Sequence, residues 1–174
     1  MAKSILISSF IMLCATVIET AVLSNISFLY VVPDLVLICS IYFSVLNGKF
    51  AGETTGFISG LILDFMTGIP FGFNCLFRTI IGYGFGIFTE TIIFSGFVMP
   101  MLCVAIGTFA KYFLTFLISL FFPNVHILAI GIISKEFLFE LVLNVILAPA
   151  IFKFLGVFKK SLAVKDIKEK VDHA

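Results

Sequence analysis

Charged residues are scarce in this chain. Of its 174 residues, Lys and Arg number 11 and Asp and Glu number 10, which is 12% of the sequence against 61% apolar residues. Soluble domains carry about 25% charged residues, and a chain this short cannot hide its apolar residues in a core, because much of its surface stays exposed. The composition excludes a soluble globular domain, a disordered segment and a nucleic-acid-binding domain. It predicts an all-α integral membrane protein.

Residues that bind metals or carry catalysis are also few. Trp is absent, His126 and His173 are the two histidines, and the four cysteines are far apart in apolar stretches. No CxxC motif or His/Cys grouping is present, which argues against a zinc or redox site. Neither a Ser/His arrangement nor a Gly-x-Gly-Asp motif indicates intramembrane proteolysis. We therefore expect no enzyme activity, no metal and no cofactor.

Apolar stretches separated by turn residues predict six membrane-spanning helices. A helix needs about 20 apolar residues to cross the hydrocarbon core, but only residues 91–110 and 112–134 are free of charge over such a length. The other spans must therefore contain ionisable residues. Turns are expected at Asn25-Ile26-Ser27, Asn47-Gly48-Lys49, Pro70-Phe71-Gly72 and Pro123-Asn124. The predicted spans are residues 4–23, 33–46, 51–67, 75–89, 96–122 and 129–156.

The distribution of lysine predicts the orientation. With six spans, Lys3, Lys49 and the six lysines from Lys153 onward lie on one side of the membrane, and the positive-inside rule makes that side the cytoplasm. Residues 1–158 would form the membrane domain and residues 159–174 a lysine-rich cytoplasmic tail. The first apolar stretch contains Glu19 and lacks a small-residue cleavage site, so we expect it to be retained as a span and not removed as a signal peptide.

Glycines at a spacing of four form the sharpest local pattern. Gly52, Gly56 and Gly60 lie along one face of the third predicted span, and Asp64 continues the series. Small residues at this spacing let a second helix approach closely in lipid. The groove is predicted to accept a helix, either another span of this chain or the span of a partner protein.

Polar residues predicted near the outer surface form a first cluster. An ionised carboxylate in the membrane costs about 3 kcal/mol on insertion scales, so it should face protein or water and have a partner. Asp64 and Arg78 are expected at similar depth, with Arg78 and Asp64 as the favoured ion pair. The cluster either fixes the register of the helices or binds a small ligand or partner. Its members are Glu19, Asp34, Asp64, Asn74 and Arg78.

A second charged group is predicted nearer the middle of the membrane. Glu136, Glu140 and Asn144 are spaced by four and share one stripe of the sixth span, while Lys111 lies in the fifth. A pair of Lys111 with Glu140 or Glu136 would neutralise a costly charge. The alternative is a proton or ion relay through two carboxylates one turn apart.

Three motifs in order resemble the bacterial rod shape-determining protein family MreD. They are Val32-Pro33-Asp34-Leu35, then the glycine series through Asp64 with Gly68 and Gly72, and finally Asn144-Val145-x-Leu147-x-Pro149 followed by basic residues. Each motif alone is weak, whereas the ordered set covers nearly the whole chain. By this resemblance the family's motif positions are Pro33, Asp34, Gly56, Gly60, Asp64, Gly72, Asn144 and Pro149.

The resemblance implies a non-catalytic scaffold of the elongation machinery in the bacterial inner membrane. The implied partners are the single-span protein MreC, a RodA-type polymerase, a penicillin-binding transpeptidase and, directly or indirectly, the MreB filament. The implied fold is similar to the six-helix substrate-binding subunits of energy-coupling-factor vitamin transporters. That likeness leaves an alternative function open, a membrane subunit that binds a small vitamin-type molecule for transport.

Overall fold

All regular structure in the described part of the chain is helical. A computed structural model describes residues 2–23, 31–68, 70–89, 96–121 and 134–163. The predicted turns at Asn25 and Pro123, both histidines and the tail beyond residue 163 lie outside these ranges. The helices are α1 (Ala2–Val17, continued by a π-helical turn, Ile18–Val22), α2 (Leu35–Asn47), α3 (Lys49–Thr67), α4 (Phe73–Ile87), α5 (Val98–Phe121), α6 (Lys135–Val157) and the short α7 (Lys159–Leu162).

Each predicted span coincides with one helix. The largest difference is at α6, which begins at Lys135 and not near residue 129. Ser134 explains this start, because its side-chain oxygen accepts a hydrogen bond of 3.1 Å from the backbone N–H of Phe137. A serine in this position completes the first turn of a helix. Glu136 then lies in the first turn, where a negative charge is favourable.

Helix α2 is the core of the bundle. Its residues Val36–Leu46 are all buried, so no face of this helix meets lipid. Helices α1, α3, α4, α5 and α6 all pack against it. With 13 residues it is only about 20 Å long, shorter than the hydrocarbon core of about 30 Å. A short helix can lie inside a membrane protein when neighbouring helices surround it.

Three helices are long and apolar enough to cross a membrane. They are Ser4–Ala21, Val98–Leu120 and Lys135–Val157. Their outward side chains are apolar, for example Phe10, Ile106 and Ile146, each at least 60% exposed. Apolar side chains of this kind are favourable in contact with lipid tails. By length and composition these three helices make the chain a membrane protein, while the crossing of α2, α3 and α4 stays a prediction.

Helices α3 and α4 form a tight hairpin in which the glycine groove is filled. A Cβ atom added to Gly52, Gly56 or Gly60 would lie closer than 3.0 Å to backbone atoms of α4. At Gly52 the opposing residue is Gly82, so two glycines let the two backbones touch. The groove therefore holds a helix of the same chain, which is the first of the two alternatives predicted for it. Backbone contact this close is the small-residue packing seen between membrane helices.

Helix α7, near the C-terminal end of the described residues, packs against the start of α1. Ser4 in α1 donates a hydrogen bond from its hydroxyl to the carbonyl oxygen of Leu162, and both residues are buried. The start of α1 and the end of α6 therefore lie at the same end of the bundle. This arrangement agrees with an even number of crossings.

Candidate functional site

Asp34 is the centre of a buried ionic network. It is 2% exposed and lies just before α2, where its Oδ1 accepts a hydrogen bond of 2.7 Å from the backbone N–H of Leu37. Both carboxylate oxygens lie 2.9 Å from Nη2 of Arg78. Nζ of Lys111 lies 2.7 Å from Oδ2. One carboxylate therefore joins α2 to two cations, one on α4 and one on α5.

Lys111 extends the network to α6. Its Nζ lies 2.7 Å from Oε1 of Glu140, so the predicted pair with Glu140 is present. The hydroxyl of Tyr112 donates to Oε2 of the same carboxylate at 2.7 Å. Both oxygens of Glu140 are thus occupied by donors from α5. In a low-dielectric interior such charge-assisted hydrogen bonds are strong, and their loss is correspondingly costly.

Asn144 lies one turn after Glu140 and closes the network. Its Oδ1 accepts from the backbone N–H of Asp34 at 2.9 Å, and its Nδ2 donates to the hydroxyl of Thr108 at 3.1 Å. A second, longer contact of 3.4 Å runs from Nδ2 to Glu140 Oε1. Asn144 is therefore the point where α6 contacts both the start of α2 and α5.

Glu19 completes the N-terminus of α2. Its Oε2 accepts a hydrogen bond of 3.2 Å from the backbone N–H of Val36. The first N–H groups of a helix have no partner within the helix, and in a membrane they must find one in the protein. Here Glu19 from the π-helical turn and Asp34 itself supply acceptors. The carboxyl oxygens of these two residues therefore satisfy a helix end that lies inside the bundle.

Asp64 accepts hydrogen bonds from the N-terminus of α4. The predicted ion pair of Asp64 with Arg78 is wrong. Its carboxylate accepts backbone N–H bonds from Gly72 and Asn74 at 2.9 Å and from Cys75 at 3.3 Å. The side-chain amide of Asn74 donates a further bond of 2.9 Å. These donors use the carboxylate fully, because the N-terminus of a helix attracts negative charge. Arg78, one turn further along α4, pairs with Asp34 instead.

Residues from both predicted groups meet in one network, while Asp64 and Asn74 form a separate set of hydrogen bonds at the start of α4. Asp34 was expected near the outer surface and Lys111 in the middle, yet they are in direct contact. Glu136 is not among the contacts of Lys111, which go to Asp34 and Glu140. Thr108 and Tyr112 belong to the network and were not predicted. Thr108 lies three residues before Lys111 and four before Tyr112, and this spacing was the available signal, because residues three or four apart are neighbours on a helix.

A cleft of about 260 Å³ lies beside the network. Its lining includes Glu19, Asp34, Arg78, Lys111 and Glu140, together with Thr67 at the end of α3. Arg78 is 1% exposed, and its Nε and Nη1 have no hydrogen-bond partner among the described residues. The guanidinium also lies over the ring of Phe77, 5.4 Å from the ring centroid. Buried N–H groups without an acceptor are uncommon, and Arg78, one of the residues that line the cleft, has such groups.

The chemistry available here is charge pairing and hydrogen bonding. Among the described residues no group of His, Cys, Asp and Glu side chains could hold a metal ion. The hydroxyls of Thr108 and Tyr112 both face network partners, and no histidine base lies within the described residues. The arrangement can fix five segments of the bundle relative to one another, and the cleft can accept a small polar group.

A comparison with protein-family models gives the same family as the three sequence motifs. The family model of the rod shape-determining protein MreD matches residues 2–158. No curated protein and no solved structure matches the chain, so the likeness to transporter subunits stays a prediction. The match includes every residue of the network and the whole α3–α4 hairpin. The chain therefore belongs to the MreD family and is a shape-determining membrane protein of the bacterial inner membrane.

Proposed function

We propose that this protein is a non-catalytic scaffold of the cell-wall elongation complex, which crosses the membrane six times with both termini in the cytoplasm. It binds the single transmembrane helix of an MreC-type protein and thereby positions a RodA-type polymerase and a penicillin-binding transpeptidase. The observation that carries the proposal is the family match over residues 2–158. MreD proteins are not a known family of enzymes.

The buried network supports a scaffold because it fixes the outer surface of the bundle. Side chains on the π-helical turn, α2, α4, α5 and α6 are joined through Asp34, Lys111 and Glu140. Breaking a buried ion pair is costly, because the charge that remains is left uncompensated. The lipid-facing surface is therefore presented in one arrangement, which is what a partner helix needs in order to bind without reordering the bundle.

The partner helix should dock on an outward apolar face, since α4 fills the glycine groove. Each of the three long helices presents such a face, and each can be tested by a pair of Ser substitutions at lipid-facing positions. The pairs are Leu6 with Phe10 on α1, Ile106 with Phe109 on α5, and Val142 with Ile146 on α6, all more than 50% exposed. One turn of helix separates the members of each pair, so each pair changes a single patch.

The experiment measures three quantities for each variant in cells that depend on this chain. They are the amount of the protein in the membrane, the amount of MreC-type protein that co-purifies with it, and cell shape. We expect one patch to lose the partner and the rod shape while the protein level stays normal. Normal co-purification in all three patch variants would contradict direct binding through these helices.

A second candidate function is the binding of a small polar molecule in the outer cleft. It is favoured by the three N–H bonds on Nε and Nη1 of Arg78 that lack an acceptor. The cleft of about 260 Å³ lies just below the usual size of small-molecule sites, about 300–1,000 Å³. Vitamin-type transport would use such a site, whereas a scaffold needs no ligand there.

Two matched substitutions in α3 test the second candidate. Thr67 lines the cleft and Thr54 does not, and each hydroxyl bonds to a backbone oxygen one turn earlier. A panel of vitamins should raise the melting temperature of the wild-type protein and of Thr54→Leu but not of Thr67→Leu. No ligand-dependent shift in the wild type would contradict transport and leave the scaffold proposal intact.

A further inference from the structure

A second cleft lies at the end of α2 away from the ionic network. It measures about 370 Å³ and is formed by α2, α5, α6 and the start of α7. Its walls are largely apolar and include Leu46, Phe97, Pro100, Pro149 and Phe152. Because α6 ends here, the cleft lies where the apolar side chains of the bundle give way to the lysines of α7. We call it the lysine cleft.

Two cations line this cleft, and none of its lining residues in the described part of the chain is a carboxylate. Lys153, one turn before the end of α6, and Lys159, the first residue of α7, are both exposed and both contribute to the lining. Neither makes an ion pair with any described residue. The site thus combines an apolar trough with two positive charges that no described carboxylate neutralises. Flexible lysine stems can pack along apolar surface while the ammonium groups reach the headgroup region.

Gly156 keeps one wall of the lysine cleft open. It lies in α6 between the two lysines in sequence, and a Cβ atom added to it would meet nothing within 4 Å. In contrast to Gly52 or Gly56, it does not touch another backbone. Its effect is to leave space in the cleft.

We propose that the lysine cleft binds an anionic phospholipid such as phosphatidylglycerol. The headgroup phosphate lies between the ammonium groups of Lys153 and Lys159, and an acyl chain lies along the apolar walls. Basic pockets between membrane helices are suited to acidic headgroups, because each lysine near the surface adds to the attraction. A zwitterionic lipid offers the same chains but no net negative charge, so the charge of the two lysines selects the anionic one.

The test counts lipids retained by the purified full-length protein. The protein in detergent is incubated with phosphatidylglycerol or phosphatidylcholine, and bound lipid is measured by native mass spectrometry. We expect the wild type to retain phosphatidylglycerol preferentially. Lys153→Gln and Lys159→Gln should each weaken its binding roughly fivefold, and the double lysine variant that carries both substitutions should weaken it further. The control with the same change of charge is Lys49→Gln with Lys135→Gln, neither of which lines the cleft, and it should retain the wild-type preference.

A pair of glycine substitutions distinguishes binding of the lipid inside the lysine cleft from a general attraction of the lipid to positive charge. Gly156→Leu fills the cleft without a clash, and Gly84→Leu makes the same change in α4, where a Cβ atom also meets nothing within 4 Å. Gly156→Leu should lose retention of phosphatidylglycerol while Gly84→Leu keeps it. Equal retention by the wild type, the double lysine variant and Gly156→Leu would overturn the proposal. Loss in the lysine variants alone would also overturn it, because binding would then be to the surface and not in the cleft.

Discussion

The central position of Asp34 gives a sharp prediction for Asp34→Asn. Asparagine has the same shape and remains a good N-cap for α2, so the substitution removes charge and little else. It leaves Arg78 buried, at 1% exposure, without its carboxylate. Lys111 keeps only Glu140 as an ionic partner. The removal of one member of a buried pair costs about 3–5 kcal/mol, since the other charge is left uncompensated.

This loss of stability should lower the melting temperature by an amount that is easily measured. For a chain of this size, 1 kcal/mol corresponds to about 2–4 °C, so the melting temperature of the purified protein should fall by roughly 6–20 °C. Glu53→Gln is the matched control, because Glu53 is exposed on α3 and forms no ion pair with the described residues. Its melting temperature should stay close to that of the wild type.

A double-mutant cycle isolates the ion pair itself. Asp34→Asn combined with Arg78→Met should destabilise the protein by less than the sum of the single variants, because the second substitution removes the charge stranded by the first. Asp64→Asn combined with Arg78→Met should be additive to within about 0.5 kcal/mol, since the two residues share no partner. Additivity in the first cycle, or coupling in the second, would refute the assignment of Arg78 to Asp34.

Three further substitutions test other contacts. Gly56→Leu should abolish accumulation of the protein, since a side chain there meets the backbone of α4 closer than 3.0 Å, while Gly84→Leu should accumulate normally in the same membrane immunoblot. Asp64→Ala should make the 67–73 turn sensitive to limited proteolysis. Three backbone N–H groups at the start of α4 would lose their acceptor, at a cost of about 1–3 kcal/mol each. Unchanged cleavage would contradict the capping role of Asp64. Tyr112→Phe should lower the melting temperature by a few degrees, in line with about 1–2 kcal/mol for a donor lost from a charged acceptor, and no change would indicate that Glu140 does not need that hydroxyl.

The helices could be predicted from the sequence because their limits are local. Turn residues bound each apolar stretch, and the glycines at Gly52, Gly56 and Gly60 indicated close helix contact. What the sequence could not give was the identity of the helix in the groove. Spacing along one helix fixes which residues share a face, but the partner of that face depends on how all the helices fold together.

The predicted pairing of Asp64 with Arg78 failed for a related reason, whereas that of Lys111 with Glu140 is present. Asp64 and Arg78 were matched because both were expected at the same depth in the membrane. That argument assumes that the carboxylate of Asp64 has no other hydrogen-bond donor. In the structure Asp64 is already used by the first N–H groups of α4. Backbone donors compete with side-chain cations for a carboxylate, and near the start of a helix they are held in place by the fold. A sequence argument that counts side chains alone omits these competitors.

The position of the network follows from the short length of α2. Asp34 meets Asn144 nine residues into α6, about 14 Å along that helix, so α2 begins well inside the bundle. Its first N–H groups cannot reach water, and lipid offers no acceptor. Glu19, Asp34 and Asn144 supply the acceptors, and the buried charge of Asp34 in turn requires cations nearby. Arg78 and Lys111 meet that requirement, and because they belong to α4 and α5, the neutralisation of one helix end also fixes the outer helices that a partner would contact.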